Sequence, residues 1–110
     1  MSSAVQIIEP KGILDGTKAS YFRDNIERSI EKGVQIILVD FTDVTFMDSS
    51  GLGTLVLSLK TVRNAGIKMF LCSINEQVKM LFELTSMDRV FDIFDNREEF
   101  EKTLSSIFAS

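Results

Sequence analysis

The run VQIILVDF, residues 34–41, is apolar or β-branched at nearly every position, and it constrains the fold more than any other stretch of the chain. A strand without polar alternation has to be covered on both faces, which marks the centre of a parallel sheet rather than the half-exposed strand of an antiparallel one. Parallel neighbours need crossover helices, and both flanks supply one. Upstream, Ala19, Phe22, Ile26 and Ile30 recur at three- and four-residue spacing, with Asp15 or Thr17 available as a cap and Gly33 as the stop. Arg23, Asp24, Glu27, Arg28 and Glu31 fall on the opposite, polar face. Downstream, Leu52, Leu55, Val56, Leu59 and Val62 predict a helix over 49–65 that closes at Asn64-Ala65-Gly66, with Lys60 and Arg63 suited to its negative end.

The remaining elements are shorter. Residues 4–9 and 12–14 read as extended runs separated by Pro10-Lys11-Gly12, a breaker cluster suited to a turn between neighbouring strands. Residues 67–74 form another buried strand, Val78, Leu81 and Phe82 predict a helix over 75–85, and a short strand over 90–94 follows the Ser86-Met87-Asp88 break. A last helix uses Phe100, Leu104 and Ile107. With 110 residues the chain is expected to be one domain, 1–110, of the α/β class, with a small mixed sheet of four to five strands and about four helices.

Composition narrows the function. A net charge of −4 argues against a phosphate-backbone binder, so no nucleic acid is expected as a partner. One cysteine and no histidine leave neither a disulfide framework nor a cysteine-rich metal site, and no metal or cofactor is expected. Cys72, flanked by Leu71, Ser73 and Ile74, reads as a buried strand residue, and Met69, Met80 and Met87 as core or rim packing. No apolar segment approaches the roughly 20 residues that cross a bilayer, and MSSAVQIIEPKG lacks the layout of a signal peptide. No direct membrane insertion and a cytoplasmic location are therefore expected.

The candidate site is FMDSSGLG, residues 46–53, where the central strand gives way to a helix, the position at which open α/β sheets tend to bind ligands. Catalysis by Ser49 or Ser50 would need a base such as histidine, and the nucleophile-elbow spacing also fails, so no catalytic residue is assigned. Gly51-Leu52-Gly53 lacks the third glycine or the lysine of a nucleotide cradle. Asp40 ends the strand as an acid that an aspartyl-phosphate switch would use, but without the further acids that hold its Mg²⁺. Two readings remain. Asp48 or Ser49 caps the helix and nothing more, or Ser50, in a first turn that favours an anion, is a phosphoacceptor. Gly51 and Gly53 either pack the helix closely on the sheet or leave the serine open to another protein's backbone. Phe46 and Met47 either plug the sheet edge or form the centre of an interface.

FTDVTFMDSSGLGTLV resembles the signature of the STAS domain, specifically that of the bacterial anti-sigma factor antagonists. KGILD followed by Ala19 is similar to the family's turn before its first helix, and LTSMDRVFDIFDNREEF to its closing helix-strand-helix segment. The resemblance implies a non-enzymatic partner switch: the unphosphorylated form binds a GHKL-type anti-sigma factor serine kinase and so frees a sigma factor. The kinase phosphorylates the second serine of the motif, here Ser50, with Ser49 as the alternative, and a metal-dependent serine phosphatase reverses the step. The same resemblance assigns Asp15, Phe46, Met47, Asp48, Ser49, Gly51, Leu52 and Gly53 to the partner-binding surface. Gly16-Thr17-Lys18 departs from the family at the position where a small hydroxyl residue commonly precedes the alanine. STAS-like domains also serve as constitutive binding modules of scaffolds or membrane transport complexes, the alternative function for this chain.

Overall fold

The computed structural model describes residues 4–109, with side chains described as far as Ser106. In chain order the elements are β1 (Val5–Ile8), β2 (Gly12–Leu14), a 3-10 turn (Gly16–Lys18), α1 (Ala19–Lys32), β3 (Ile36–Asp40), β4 (Val44–Met47), α2 (Ser49–Asn64), β5 (Lys68–Cys72), α3 (Glu76–Leu84), a second 3-10 turn (Met87–Arg89), β6 (Asp92–Phe94) and α4 (Arg97–Ala109). The four-stranded sheet has the order β1-β3-β5-β6, and β2 pairs with β4 in a separate two-stranded sheet.

The strand order explains the layering. Each step from β1 to β3 to β5 to β6 moves in the same direction between parallel neighbours. Crossovers of one hand then place their helices on one face, and the opposite face would be bare. Accordingly Ile37, Val39, Met69 and Leu71 point into the main core with Phe22 and Ile26 of α1, Leu52, Leu55, Leu59 and Val62 of α2, and Val78 and Phe82 of α3. The alternate residues Ile36, Leu38, Phe70 and Cys72 point the other way, where Phe100 and Leu104 of α4 cover them. This is why VQIILVDF has no polar alternation: its two faces serve two different cores. The Ile107 side chain, expected on the same helical stripe, lies outside the described residues.

The expected α/β architecture with four helices is present, and its strand pairing is parallel in every described pair rather than mixed. Pro10-Lys11-Gly12 does not join two neighbouring strands; it carries the chain from β1 in one sheet to β2 in the other. Gly12, at φ 74, donates its N–H to the Asp43 carbonyl at 2.9 Å and so starts the second pairing. β4 is a further strand, between the central strand and the helix, that the sequence reading does not assign. On α1, Ile30 is 38% exposed and Ser29 takes the inward position, its hydroxyl donating to the Asn25 carbonyl at 2.8 Å.

At the carboxyl end of β3, Asp40 is the one buried carboxylate among the described residues. It accepts from the Thr42 backbone N–H at 3.0 Å and hydroxyl at 2.6 Å, and from Arg97 at 2.7 Å, while Arg97 also reaches Glu9 at 2.8 Å. The aspartyl-phosphate reading is thereby excluded on geometry: the carboxylate is already occupied in locking α4 to the sheet. Burial would raise the Asp40 pKa, but the bonds from Thr42 and Arg97 outweigh it and hold the carboxyl below its ordinary value. A lowered folded-state pKa gives stability that is complete above the unfolded value, about 3.9, and that is lost as pH falls through the folded one. Asp40→Asn is therefore expected to cost about 1–3 kcal/mol at pH 7, below the figure for a fully enclosed pair because Arg97 is partly solvated. The cost should shrink toward zero once the wild-type carboxyl is itself protonated. Urea unfolding of both proteins at pH 7 and at progressively lower pH checks this; a constant difference would contradict it.

Candidate functional site

The motif FMDSSGLG spans the end of β4 and the first turn of α2. Asp48 is the N-cap, with extended backbone and a side chain that accepts the Gly51 N–H at 2.8 Å. That places Ser49 and Ser50 at the first two helical positions, where backbone N–H groups have no intrahelical partner and the helix end is positive. Both serines are exposed.

The preceding strand pair brings a second segment beside them. Asp48 donates its N–H to the Leu14 carbonyl at 3.3 Å, which joins the end of β2 to the start of α2. A Cβ built on Gly51 would lie 2.0 Å from the Leu14 oxygen and 3.2 Å from the Asp15 nitrogen, so the two backbones meet at a hydrogen atom. One residue further on, a Cβ on Gly16 would sit 3.5 Å from the Ser50 Cβ. The first 3-10 turn thus lies against Ser50. Asp15 caps this turn through the Thr17 N–H, at 2.9 Å, and the Thr17 hydroxyl. Those two bonds, led by the hydroxyl, hold its carboxyl below the ordinary range, so the rim of the site keeps a negative charge.

Next to the serines, Ile13 of β2 and Phe46 of β4 are paired residues, and they are 54% and 46% exposed. Directly paired positions put their side chains side by side on one face, so the strand ends that lead to the two serines carry an exposed apolar patch. The free edge of β4 is closed by side chains. The Gln77 amide accepts from the Met47 N–H and donates to the Met47 carbonyl, both at 2.8 Å, and Asn75 donates to the Val44 and Thr45 carbonyls at 3.2 and 3.3 Å. Gln77 replaces, in one residue, what another strand would supply. Gln77→Ala should cost about 1–3 kcal/mol by leaving both Met47 groups unpaired. Urea unfolding and faster amide exchange at Met47 check it, and slow exchange in the variant would show that the bonds are dispensable.

The structure brings Asp15, Phe46, Asp48, Ser49, Ser50 and Gly53 to one edge, and it revises three expectations. Met47 is fully buried and Leu52 nearly so, both in the main core, so neither side chain can meet a partner. Gly51 is also buried, and its missing side chain admits the Leu14 carbonyl rather than another protein. Gly53 differs: it is exposed, with nothing within 4 Å of its virtual Cβ. Sequence reasoning missed Ile13, although the alternation in Gly12-Ile13-Leu14 turns it outward once Leu14 is inside. It also missed Gln77, for which no local signal exists. Among the described residues no group of three or more acids, cysteines or histidines could hold a metal ion, and no helix is long and apolar enough to cross a membrane.

Comparison with known proteins identifies the family and the fold. The family model of the STAS domain matches residues 2–100. The anti-sigma F factor antagonist of Paenibacillus polymyxa is 28% identical over 93 residues, which cover 84% of this chain and 80% of that one. The anti-sigma-B factor antagonist of Bacillus subtilis is 30% identical over 82 residues, covering 74% of each. The crystal structure of TM1081 from Thermotoga maritima superposes with a TM-score of 0.80 at 30% identity, over 92% of this chain and 87% of that one.

Proposed function

Because the chain belongs to the STAS domain family, we propose that it is an anti-sigma factor antagonist that works by binding and is switched by phosphorylation of Ser50. The unphosphorylated form binds a GHKL-type anti-sigma factor serine kinase through Ser50, Gly53 and the apolar pair Ile13 and Phe46, and a metal-dependent serine phosphatase restores it after modification. The observation that supports this most is the setting of Ser50: an exposed hydroxyl on the positive end of α2, braced by the Asp48 cap and the Gly16 turn, beside uncovered apolar side chains. A residue that only capped the helix would need no such border, and the cap is Asp48.

Ser50 is the acceptor in preference to Ser49 because the 3-10 turn fixes one side of it. The experiment is direct. The GHKL-type kinases of the source organism are purified, incubated with this protein and ATP, and the product is mapped by mass spectrometry. One phosphate on Ser50, retained in Ser49→Ala and lost in Ser50→Ala, is the expected result. Modification of Ser49 alone would move the switch by one residue. No modification by any of these kinases would leave a constitutive binding module, as in scaffolds or transport complexes, as the better description.

A further inference from the structure

From the partner-switch reading, on which this inference rests, we infer that Gly16 is a specificity-determining residue of the phosphorylation: its missing side chain leaves open the flank of Ser50 along which the kinase brings ATP to the hydroxyl. The distribution of the glycines carries this. Of the six in the chain, Gly12, Gly33 and Gly66 stand at φ 74, 70 and 77, where a side chain is strained, and Gly51 admits the Leu14 carbonyl. Folding asks for a glycine at each of those positions, but not at the other two. Gly16 and Gly53 lie outside the left-handed region, and a Cβ on either would meet no clash: its nearest neighbour is at 3.5 Å for Gly16, and nothing lies within 4 Å for Gly53. Both are exposed and both sit in helical turns, which glycine favours less than almost any other residue does. Both also flank the same side chain. The neighbour of Gly16 is the Ser50 Cβ, and Gly53 stands three positions after Ser50 on α2, on the adjoining ground of one helix face.

Position 16 controls access because of where a side chain there would start. Its Cβ would already be in van der Waals contact with the Ser50 Cβ, so a longer side chain begins beside the acceptor hydroxyl and narrows its approach. The serine has little room to move aside, since the Asp48 cap holds the first turn of α2 and Gly51 is wedged against Leu14. Transfer needs that approach in a definite direction. The Ser50 Oγ bonds the γ-phosphorus of ATP, the bond from that phosphorus to the bridging oxygen of ADP breaks, and the hydroxyl proton passes to a base of the kinase, with the attacking and leaving oxygens in line. A kinase loop that crosses Gly16 and Gly53 meets bare backbone on two sides of the hydroxyl, and residue 16 sets how closely it can come.

The test compares kcat/KM for phosphorylation of Ser50 in wild type, Gly16→Ala, Gly16→Val and Gly16→Leu, using the GHKL-type kinase that modifies the wild type. Glu31→Leu, at an exposed position near the far end of α1, controls for an added surface leucine. Gly16→Ala should stay within about threefold of wild type, Gly16→Val should fall about tenfold and Gly16→Leu about a hundredfold, the loss that about 1 Å of misplacement brings, while Glu31→Leu should match wild type. Circular dichroism melts should place Gly16→Ala at or above wild type and the bulkier variants close to it, because the position is exposed and its backbone suits other residues. Equal rates across the series, with wild type modified at Ser50, would overturn the role of Gly16 and leave the switch standing. A loss of rate that tracks a fall in melting temperature would make residue 16 a packing position and overturn it as well. If no GHKL-type kinase modifies the wild type, the switch reading fails and this inference fails with it.

Discussion

Gly51→Ala should destabilise the protein by about 3–5 kcal/mol, enough to remove a third or more of the stability of an ordinary small domain. The added Cβ would fall 2.0 Å from the Leu14 carbonyl oxygen and 2.6 Å from its carbon, and both atoms are backbone, so no side-chain rotation relieves the contact. Either α2 withdraws from β2 or β2 leaves its pairing with β4. Overpacking costs of about 1–3 kcal/mol apply where side chains can yield, so a backbone clash belongs at or above the top of that range. Displacing Gly51 also threatens the bond from its N–H to Asp48, a cap worth about 1 kcal/mol. Better helix propensity returns less than about 1 kcal/mol.

The neighbouring glycine supplies the contrast. Gly53→Ala meets nothing within 4 Å and lies at an exposed helical position, so it should be neutral to stabilising by up to about 1 kcal/mol. Urea denaturation of both variants separates the two roles. Equal stabilities would mean that β2 and α2 adjust freely, and the close approach at Leu14 would then carry no structural weight.

That contrast also marks what the sequence could convey. The helices, the buried character of β3 and β5, and the capped start of α2 are local matters, readable from period and cap chemistry in residues such as Phe22, Ile26, Asn75 and Asp48. Which strand pairs with which is not local. Pro10-Lys11-Gly12 carries the same breaker signal whether the next strand folds back on β1 or departs to β4, and only the β-branched and apolar run Val44-Thr45-Phe46-Met47 could have marked the latter. Once β4 is a strand, its burial pattern turns Met47 in and Phe46 out, which divides a pair that carried the same two readings in the sequence. Gly51 and Gly53 were equally ambiguous, since the choice between close packing and an open surface depends on Leu14, 37 positions away in the chain from Gly51. Gln77 and Arg97 act across 30 and 57 residues, through bonds that no spacing rule encodes.

Ser50→Asp should weaken kinase binding by at least about 100-fold, close to 3 kcal/mol, while leaving folding stability within about 1 kcal/mol of wild type. The two halves have different origins. In the free protein a negative group at the second position of α2 faces unpaired N–H groups and the positive helix end, so water and the helix both accommodate it. In the complex it would lie between the apolar pair Ile13 and Phe46 and the partner, and removing a charge from water without a cation of its own costs far more than burying a hydroxyl. Asp15, kept ionised by Thr17, and the capping Asp48 add like charge on the same edge. Phosphoserine, with a charge near −2, should be excluded more strongly than aspartate, and Ser50→Ala should bind like wild type because only a hydroxyl is lost. Calorimetric titration of the kinase with the three proteins, alongside urea unfolding of each, reads both halves. Equal affinity of Ser50→Asp and wild type would rule out charge at this position as the switch. Loss of binding accompanied by an equal loss of folding stability would assign Ser50 a structural role, in which the hydroxyl supports the first turn of α2 rather than reporting its modification to a partner.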